Sequence, residues 1–172
     1  MDDQRHHGTP ARSARLMRLT IVAMGRLRSG PEKTLIDDYL DRAGKTGRAF
    51  GLGPARVIEV DDRKTPDKSS QATALRRALP DGAVLVAMDE RGKRLSSPDF
   101  ADRIAAWRDQ GRGDMACVIG GADGLDPAFV AEADFTLSFG AMVWPHMLAR
   151  VMLAEQLYRA TAILANTPYH RV

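Results

Sequence analysis

Short apolar runs, each followed by a segment with helical periodicity, constrain this chain more than any other feature. The first, residues 19–24 (LTIVAM), lacks the polar alternation of a half-exposed strand and reads as a strand buried on both faces. Residues 56–60 (RVIEV), 83–88 (AVLVAM), 115–119 (MACVI) and 135–138 (FTLS) read as further strands. Pro31 opens a helix after the first of them, with apolar positions at Leu35, Ile36, Tyr39 and Leu40 and an end weakened by Gly44 and Gly47. Residues 68–79 form a second helix, stopped by Pro80. Ser97, Pro98 and Asp99 supply a hydroxyl cap, a first-turn proline and a first-turn acid. Phe100, Ile104 and Trp107 then mark one apolar face. A short helix near 126–133 and a long one over 145–165 complete the pattern. Strands alternating with helices predict an α/β fold, a largely parallel sheet flanked by helices on both faces. Ligands of such sheets bind beyond the carboxyl ends of the strands. Topology alone therefore marks residues 89–94, 120–124 and 139–144.

A chain of 172 residues fits one domain, predicted over 17–172. Residues 1–16 have no periodic apolar face and read as a disordered extension or an upstream misassigned start. His6 and His7 within them lack a third ligand, so no metal site is expected. The formal charge is +3, falling to about +2 without the extension, far from the dense basic surface that grips naked nucleic acid. The single cysteine excludes a disulfide framework, and its apolar flanks predict a buried, inert Cys117 thiol. No run approaches the roughly 18–20 apolar residues that span a bilayer, and the first residues lack a signal-peptide core. A soluble, cytoplasmic protein without membrane partners is expected.

The last helix carries few polar residues: Arg150, Glu155, Gln156, Arg159 and Thr161. Leu148, Val151, Met152, Leu153, Leu157, Tyr158, Ile163 and Leu164 cover more than one face. Such a helix is buried on more than one side, and in a small domain a homodimer supplies the second. Glu155 and Arg159 are spaced as an i, i+4 pair.

Common catalytic signatures are missing. The first strand is followed by AMGR, not GxGxxG, and no GxxxxGK[ST], GxSxG or HExxH occurs. GGADG at 120–124 lets backbone N–H groups approach a ligand, although a plain tight turn uses the same residues. FGAMVW at 139–144 is an apolar loop, either core packing under the last helix or a pocket suited to an adenine ring and a thioether. The final NTPYHRV is either a frayed tail or a set of a stacking ring, an imidazole and a cation suited to a nucleobase and its phosphates.

Four ordered motifs resemble the ribosomal large-subunit methyltransferase H family of the SPOUT superfamily. They are IGGADGL at 119–125, WPHMLARV at 144–151, EQLYRA at 155–160 and NTPYHR at 166–171, within a similarity spanning 17–172. The resemblance implies a SPOUT-type α/β knot with a C-terminal trefoil, a homodimer, and S-adenosylmethionine as methyl donor with no metal. The implied acceptor is N3 of a pseudouridine in the inter-subunit hairpin of 23S rRNA. Carried across, the donor site comprises Met88, Gly120, Gly121, Phe139, Gly140, Ala141, Met142, Val143 and Trp144. The terminal triplet maps to Tyr169, His170 and Arg171 as the acceptor side. His170 is a candidate base or base-orienting group, Arg171 a stabiliser of the imidate oxygen, and Tyr169 a stacking or hydrogen-bonding group. Met88 stands where leucine is common, Gly140, Val143 and Trp144 depart from the commonest loop residues, and Val172 extends the terminus. His146 either shapes the pocket or packs the helix start. The low charge favours a shaped 70S ribosome over bare rRNA. A sister enzyme acting on tRNA or another rRNA position, a non-catalytic ribosome-associated module, and a flavodoxin-like nucleotide binder are the alternatives.

Overall fold

The computed structural model describes residues 15–171. The extension expected over 1–16, with His6 and His7, therefore lies outside the described residues except for Arg15 and Leu16, as does Val172. Five strands, β1 (Met17–Met24), β2 (Leu52–Val60), β3 (Val84–Lys93), β4 (Asp114–Ile119) and β5 (Phe135–Leu137), form one sheet in the order β2-β1-β4-β3-β5. Every pairing is parallel. Five helices connect and follow them: α1 (Pro31–Gly47), α2 (Lys68–Ala78), α3 (Ser97–Asp109), α4 (Pro127–Ala131) and α5 (His146–Leu164).

Alternation along the strands divides the core into two layers. Leu19, Ile21, Ala23, Val86, Cys117 and Ile119 face α1, α3 and α5. Val22, Met24, Leu85, Ala87, Ala116 and Val118 face α2 and α4. Both faces are covered, which is why the strands read as nearly uninterrupted apolar runs. Burial removes Cys117 from solvent and pushes its thiol up to about 12, so it stays protonated and inert.

Several boundaries differ from those read in the sequence. β2 starts at Leu52, four residues before 56, across Gly53 and Pro54. Those residues are poor strand formers, but β2 is an edge strand, where a proline costs no ladder bond on the open side. β3 continues to Lys93, so 89–94 is not a free loop. Met88 and Lys93 both register with Leu137, which makes the intervening residues a bulge. Gly92 is required there, since a Cβ would stand 2.6 Å from the Thr136 carbonyl oxygen. The bulge turns Asp89, Glu90 and Arg91 toward the carboxyl end of the sheet.

The α3 cap is Ser96, not Ser97: the Ser96 hydroxyl accepts the Asp99 N–H at 3.2 Å. Ser97 instead donates to Gln156 Oε1 at 2.8 Å. Phe100, Ile104 and Trp107 are buried as their spacing requires, whereas Leu35 on α1 is exposed. Leu153, Ala154, Leu157, Ala160 and Ala162 bury one side of α5, while Met147 and Leu148 stay exposed on another. Among the described residues no helix is long and apolar enough to cross a membrane.

Ser96→Ala should lower unfolding free energy by about 1 kcal/mol through loss of the cap. Ser97→Ala should cost less, because the α3 cap remains. Urea denaturation of the two variants distinguishes these positions.

Candidate active site

The carboxyl ends of β3, β4 and β5 open into a cavity of about 380 Å³. Its apolar walls are Met88 from β3, Ile119 and Leu125 around the turn after β4, and Leu137 and Phe139 at the end of β5. Met142, Val143 and Trp144 stand at its mouth, largely exposed, and His146 and Ala149 contribute the first turn of α5. Of the residues carried across to the donor site, Met88, Gly120, Gly121, Phe139, Gly140, Met142, Val143 and Trp144 surround this one space. Ala141 belongs to the same loop but is exposed and does not line it.

The 120–124 turn is closed by the Gly124 N–H donating to Gly121 O at 3.0 Å. A Cβ on Gly120 would come within 2.7 Å of the Gly124 carbonyl carbon, so only glycine lets the strand fold back this tightly. A second anchor, absent from the sequence reading, is Ser138. Its buried hydroxyl donates to Glu90 O at 2.9 Å and accepts the Gly140 N–H at 3.0 Å, fastening the 139–144 loop to the β3 bulge.

Charge enters the cavity from Lys68, Asp89, Glu90, Arg91 and Asp123. The Asp89 carboxylate accepts the Arg91 backbone N–H at 2.8 Å and its guanidinium at 3.0 and 3.1 Å. The Arg91 guanidinium, aided by that N–H and outweighing burial, holds the Asp89 carboxyl below the usual range. An apolar slot with carboxylates nearby suits a ligand that is flat and apolar in one part and cationic in another.

Arg150 is the residue the sequence most misrepresented. A polar side chain on a helix suggests a solvated face, yet Arg150 is 2% exposed. Its guanidinium pairs with Glu59 at 2.8 Å and donates to Met24 O at 3.4 Å and Gly25 O at 3.2 Å. Glu59 also accepts the Leu27 N–H. One side chain thus binds the start of α5 to the carboxyl ends of β1 and β2.

The terminal triplet lies elsewhere. Asn166, at φ 53°, ends α5 in the left-handed conformation, with its N–H donating to Ile163 O and the Thr167 N–H donating to Ala162 O, both at 3.0 Å. This is a Schellman closure, and it turns 167–171 back along the helix. The Tyr169 hydroxyl donates to Glu155 Oε1 at 2.9 Å, and Arg159 Nη1 lies 3.1 Å from His170 Nδ1. Burial first, then the bond to Glu155, raises the Tyr169 phenol above its ordinary range and keeps it a donor. The expected Glu155–Arg159 pair is present at 2.6 Å. At roughly 1.5 Å per residue, Arg159 stands about 20 Å along the axis from His146. Within one chain, Tyr169, His170 and Arg171 are not among the residues that line the cavity.

A parallel α/β sheet with a ligand cavity beyond its strand ends is shared by many nucleotide-binding folds; the class is given by residues 17–170, which match the family model described as predicted SPOUT methyltransferase. The chain belongs to that family and, within it, to the ribosomal RNA large subunit methyltransferase H group. Its similarity to Ribosomal RNA large subunit methyltransferase H of Ruegeria pomeroyi is 70% identity over 156 residues, 91% of this chain and 100% of that protein. The protein of the same name from Roseobacter denitrificans is 68% identical, over 90% of this chain and 99% of its own. A solved structure, a probable methyltransferase from Bordetella pertussis, has a TM-score of 0.50 at 17% identity, covering 84% of this chain and 96% of its own, and supports the fold.

Gly120→Ala should destabilise the protein by about 2 kcal/mol through overpacking against backbone. Gly121→Ala, whose added carbon would find its nearest neighbour at 3.5 Å, should be tolerated. Thermal unfolding separates them. Arg150→Met should cost about 2 kcal/mol, below the roughly 3–5 kcal/mol of a fully buried broken pair because Glu59 reaches solvent. Urea denaturation reads that loss.

Proposed function

We propose that the protein is an S-adenosylmethionine-dependent methyltransferase that methylates N3 of a pseudouridine in the inter-subunit hairpin of 23S rRNA, in the cytoplasm, on the assembled 70S ribosome. The observation that carries this reading is the apolar, acid-flanked cavity at the strand ends of a chain 70% identical to a ribosomal RNA large subunit methyltransferase H. Bound there, S-adenosylmethionine supplies a methyl made electrophilic by its sulfonium, whose bonding pair stays on sulfur while the acceptor nitrogen loses its proton.

The residues present fit that donor. Met88, Ile119, Leu137 and Phe139 offer the adenine an apolar slot, and the 120–124 and 139–144 backbones offer its edges hydrogen-bonding groups. Glu90 and Asp123 line the same cavity and would favour a ligand that carries positive charge. Gly120 lets the backbone approach closely, and Ser138 holds the opposite loop in place. Alignment of donor and acceptor is the main catalytic contribution, with no covalent enzyme intermediate.

The acceptor side comes from a second copy. The tail is fastened to Glu155 and Arg159, about 9 to 15 Å of helix rise beyond Ala149, the last α5 residue of the cavity, while Met147 and Leu148 leave an apolar face of α5 exposed. Pairing of two chains through that face, antiparallel about a two-fold axis, carries the terminus of one protomer toward the cavity of the other. In this homodimer Tyr169 shapes the acceptor pocket, His170 contacts the imide of the uracil ring, and Arg171 stabilises its developing oxyanion. His146 shapes the donor cavity. The trefoil knot implied by the family resemblance is assigned to the same segment. Its support is the match of residues 17–170 to the SPOUT methyltransferase model. A body charge of about +2 favours an assembled, shaped substrate over free RNA.

Tritiated methyl incorporation into ribosomes lacking the modification, followed by nucleotide mapping, tests the assignment. Whole ribosomes should be methylated in preference to large subunits or purified rRNA. Label in tRNA or at another rRNA position would transfer the protein to a sister activity. Truncation after Pro168 should lower turnover at least a hundredfold while S-adenosylmethionine affinity, by calorimetry, changes less than about threefold. Full activity of the truncated chain would remove the terminal triplet from the site.

A further inference from the structure

We infer that Arg159 is a positioning residue that fixes the His170 imidazole in its Nε2–H tautomer, so that His170 meets the substrate as a hydrogen-bond donor and does not take its proton. This rests on the methyl-transfer reading above for its function, though not for its geometry. A guanidinium only donates hydrogen bonds. The 3.1 Å contact from Arg159 Nη1 therefore requires a lone pair on His170 Nδ1. An imidazolium has no such lone pair, and a neutral ring whose Nδ1 is an acceptor carries its proton on Nε2.

The guanidinium is held for this task. Its Nε and Nη2 both donate to Glu155 Oε1, at 2.9 and 2.6 Å, which fixes its plane and leaves Nη1 for the imidazole. Glu155 also accepts from Tyr169 at 2.9 Å and from Gln156 Nε2 at 3.0 Å. Gln156 is in turn fixed by Ser97 on α3 at 2.8 Å. The Tyr169 ring lies under the same guanidinium, 4.7 Å from its carbon. Rotating Arg159 away would break several charge-assisted bonds together.

The chemical consequence is specific. The one lone pair of the neutral ring faces Arg159, and the atom left for the substrate bears hydrogen. His170 then donates Nε2–H to an imide oxygen and stabilises the imidate as it forms. The N3 proton passes to solvent water, the freed N3 electron pair forms the new N–CH₃ bond, and the S–CH₃ pair remains on sulfur as the thioether.

Long-range ¹H–¹⁵N correlation of the full-length protein at alkaline pH reads the tautomer directly, with the His170 signals identified by their loss in His170→Gln. The expected result is a pyrrole-like Nε2 and a pyridine-like Nδ1 in the wild type, collapsing toward tautomer averaging in Arg159→Ala and restored in Arg159→Lys. In kinetics, His170→Gln, whose amide nitrogen replaces Nε2–H, should keep turnover within about tenfold, whereas His170→Ala should lose at least a hundredfold. Arg159→Ala should lower kcat with the donor KM unchanged, and Arg159→Lys should recover part of it. A pyridine-like Nε2 in the wild type, or equal losses in His170→Gln and His170→Ala, overturns the inference. The spectroscopic measurement needs no substrate, so a wild-type protein that methylates nothing would overturn the proposed function and leave the tautomer result standing.

Discussion

Burial of a wholly parallel sheet on both faces is the constraint from which the other features follow. Parallel strands need a crossover for each return; the crossovers here place α1 and α3 on one face and α2 and α4 on the other, and the terminal α5 joins α1 and α3. All strand carboxyl ends then point one way, and the turns leaving them converge. The cavity is assembled from such turns: the β3 bulge, the glycine turn after β4 and the loop after β5. Each is irregular because it must leave a buried strand without stranding backbone groups. Ser138 supplies bonds to two of those groups at once, joining Glu90 O and Gly140 N–H.

Legibility from sequence followed the same physics. The strands were readable where both-face burial demands apolar residues, at 19–24, 83–88 and 115–119. The start of β2 was hidden because Gly53 and Pro54 signal turns, and only its edge position makes them acceptable. The continuation of β3 was hidden because DERG reads as polar loop, and a bulge has no hydrophobic period. Strand order alone marks the three segments that contribute to the cavity. Arg150 could not be found that way, since its partners Met24 and Gly25 lie 126 and 125 residues away and a helical arginine normally faces water. The Glu155–Arg159 spacing was legible as a pair, but its use in holding His170 was not. Nothing in the motif tells where the chain turns after Asn166.

Two arginines on α5 illustrate how burial changes what a like side chain does. Arg150 is enclosed, and its contribution depends on geometry: Glu59 and two strand carbonyls surround the head, which ties helix to sheet beside the cavity. Arg159 remains about a quarter exposed, so its pair with Glu155 adds little to global stability by itself. Its importance is local and directional, because a rigid fork decides which atom of a neighbouring ring can accept.

The two clamps also set what α5 can transmit. They stand nine positions apart, about 14 Å of helix, one tied to the strand ends and the other to the tail. A rigid helix fixes the spacing between the cavity and the tail held on Glu155 and Arg159, and the triplet does not line the cavity of its own chain. Relaxing the tail to reach inward would dissolve the Tyr169 and Arg159 bonds that give the triplet its orientation. In the proposed homodimer, pairing of two helices would avoid the conflict: each terminus would keep its bonds, and each cavity would receive the other protomer's triplet. In that proposed pairing the exposed apolar face beside Met147 and Leu148 and the early reversal at Asn166 would serve one geometric end, since a helix that continued outward would carry the triplet away from a shared surface.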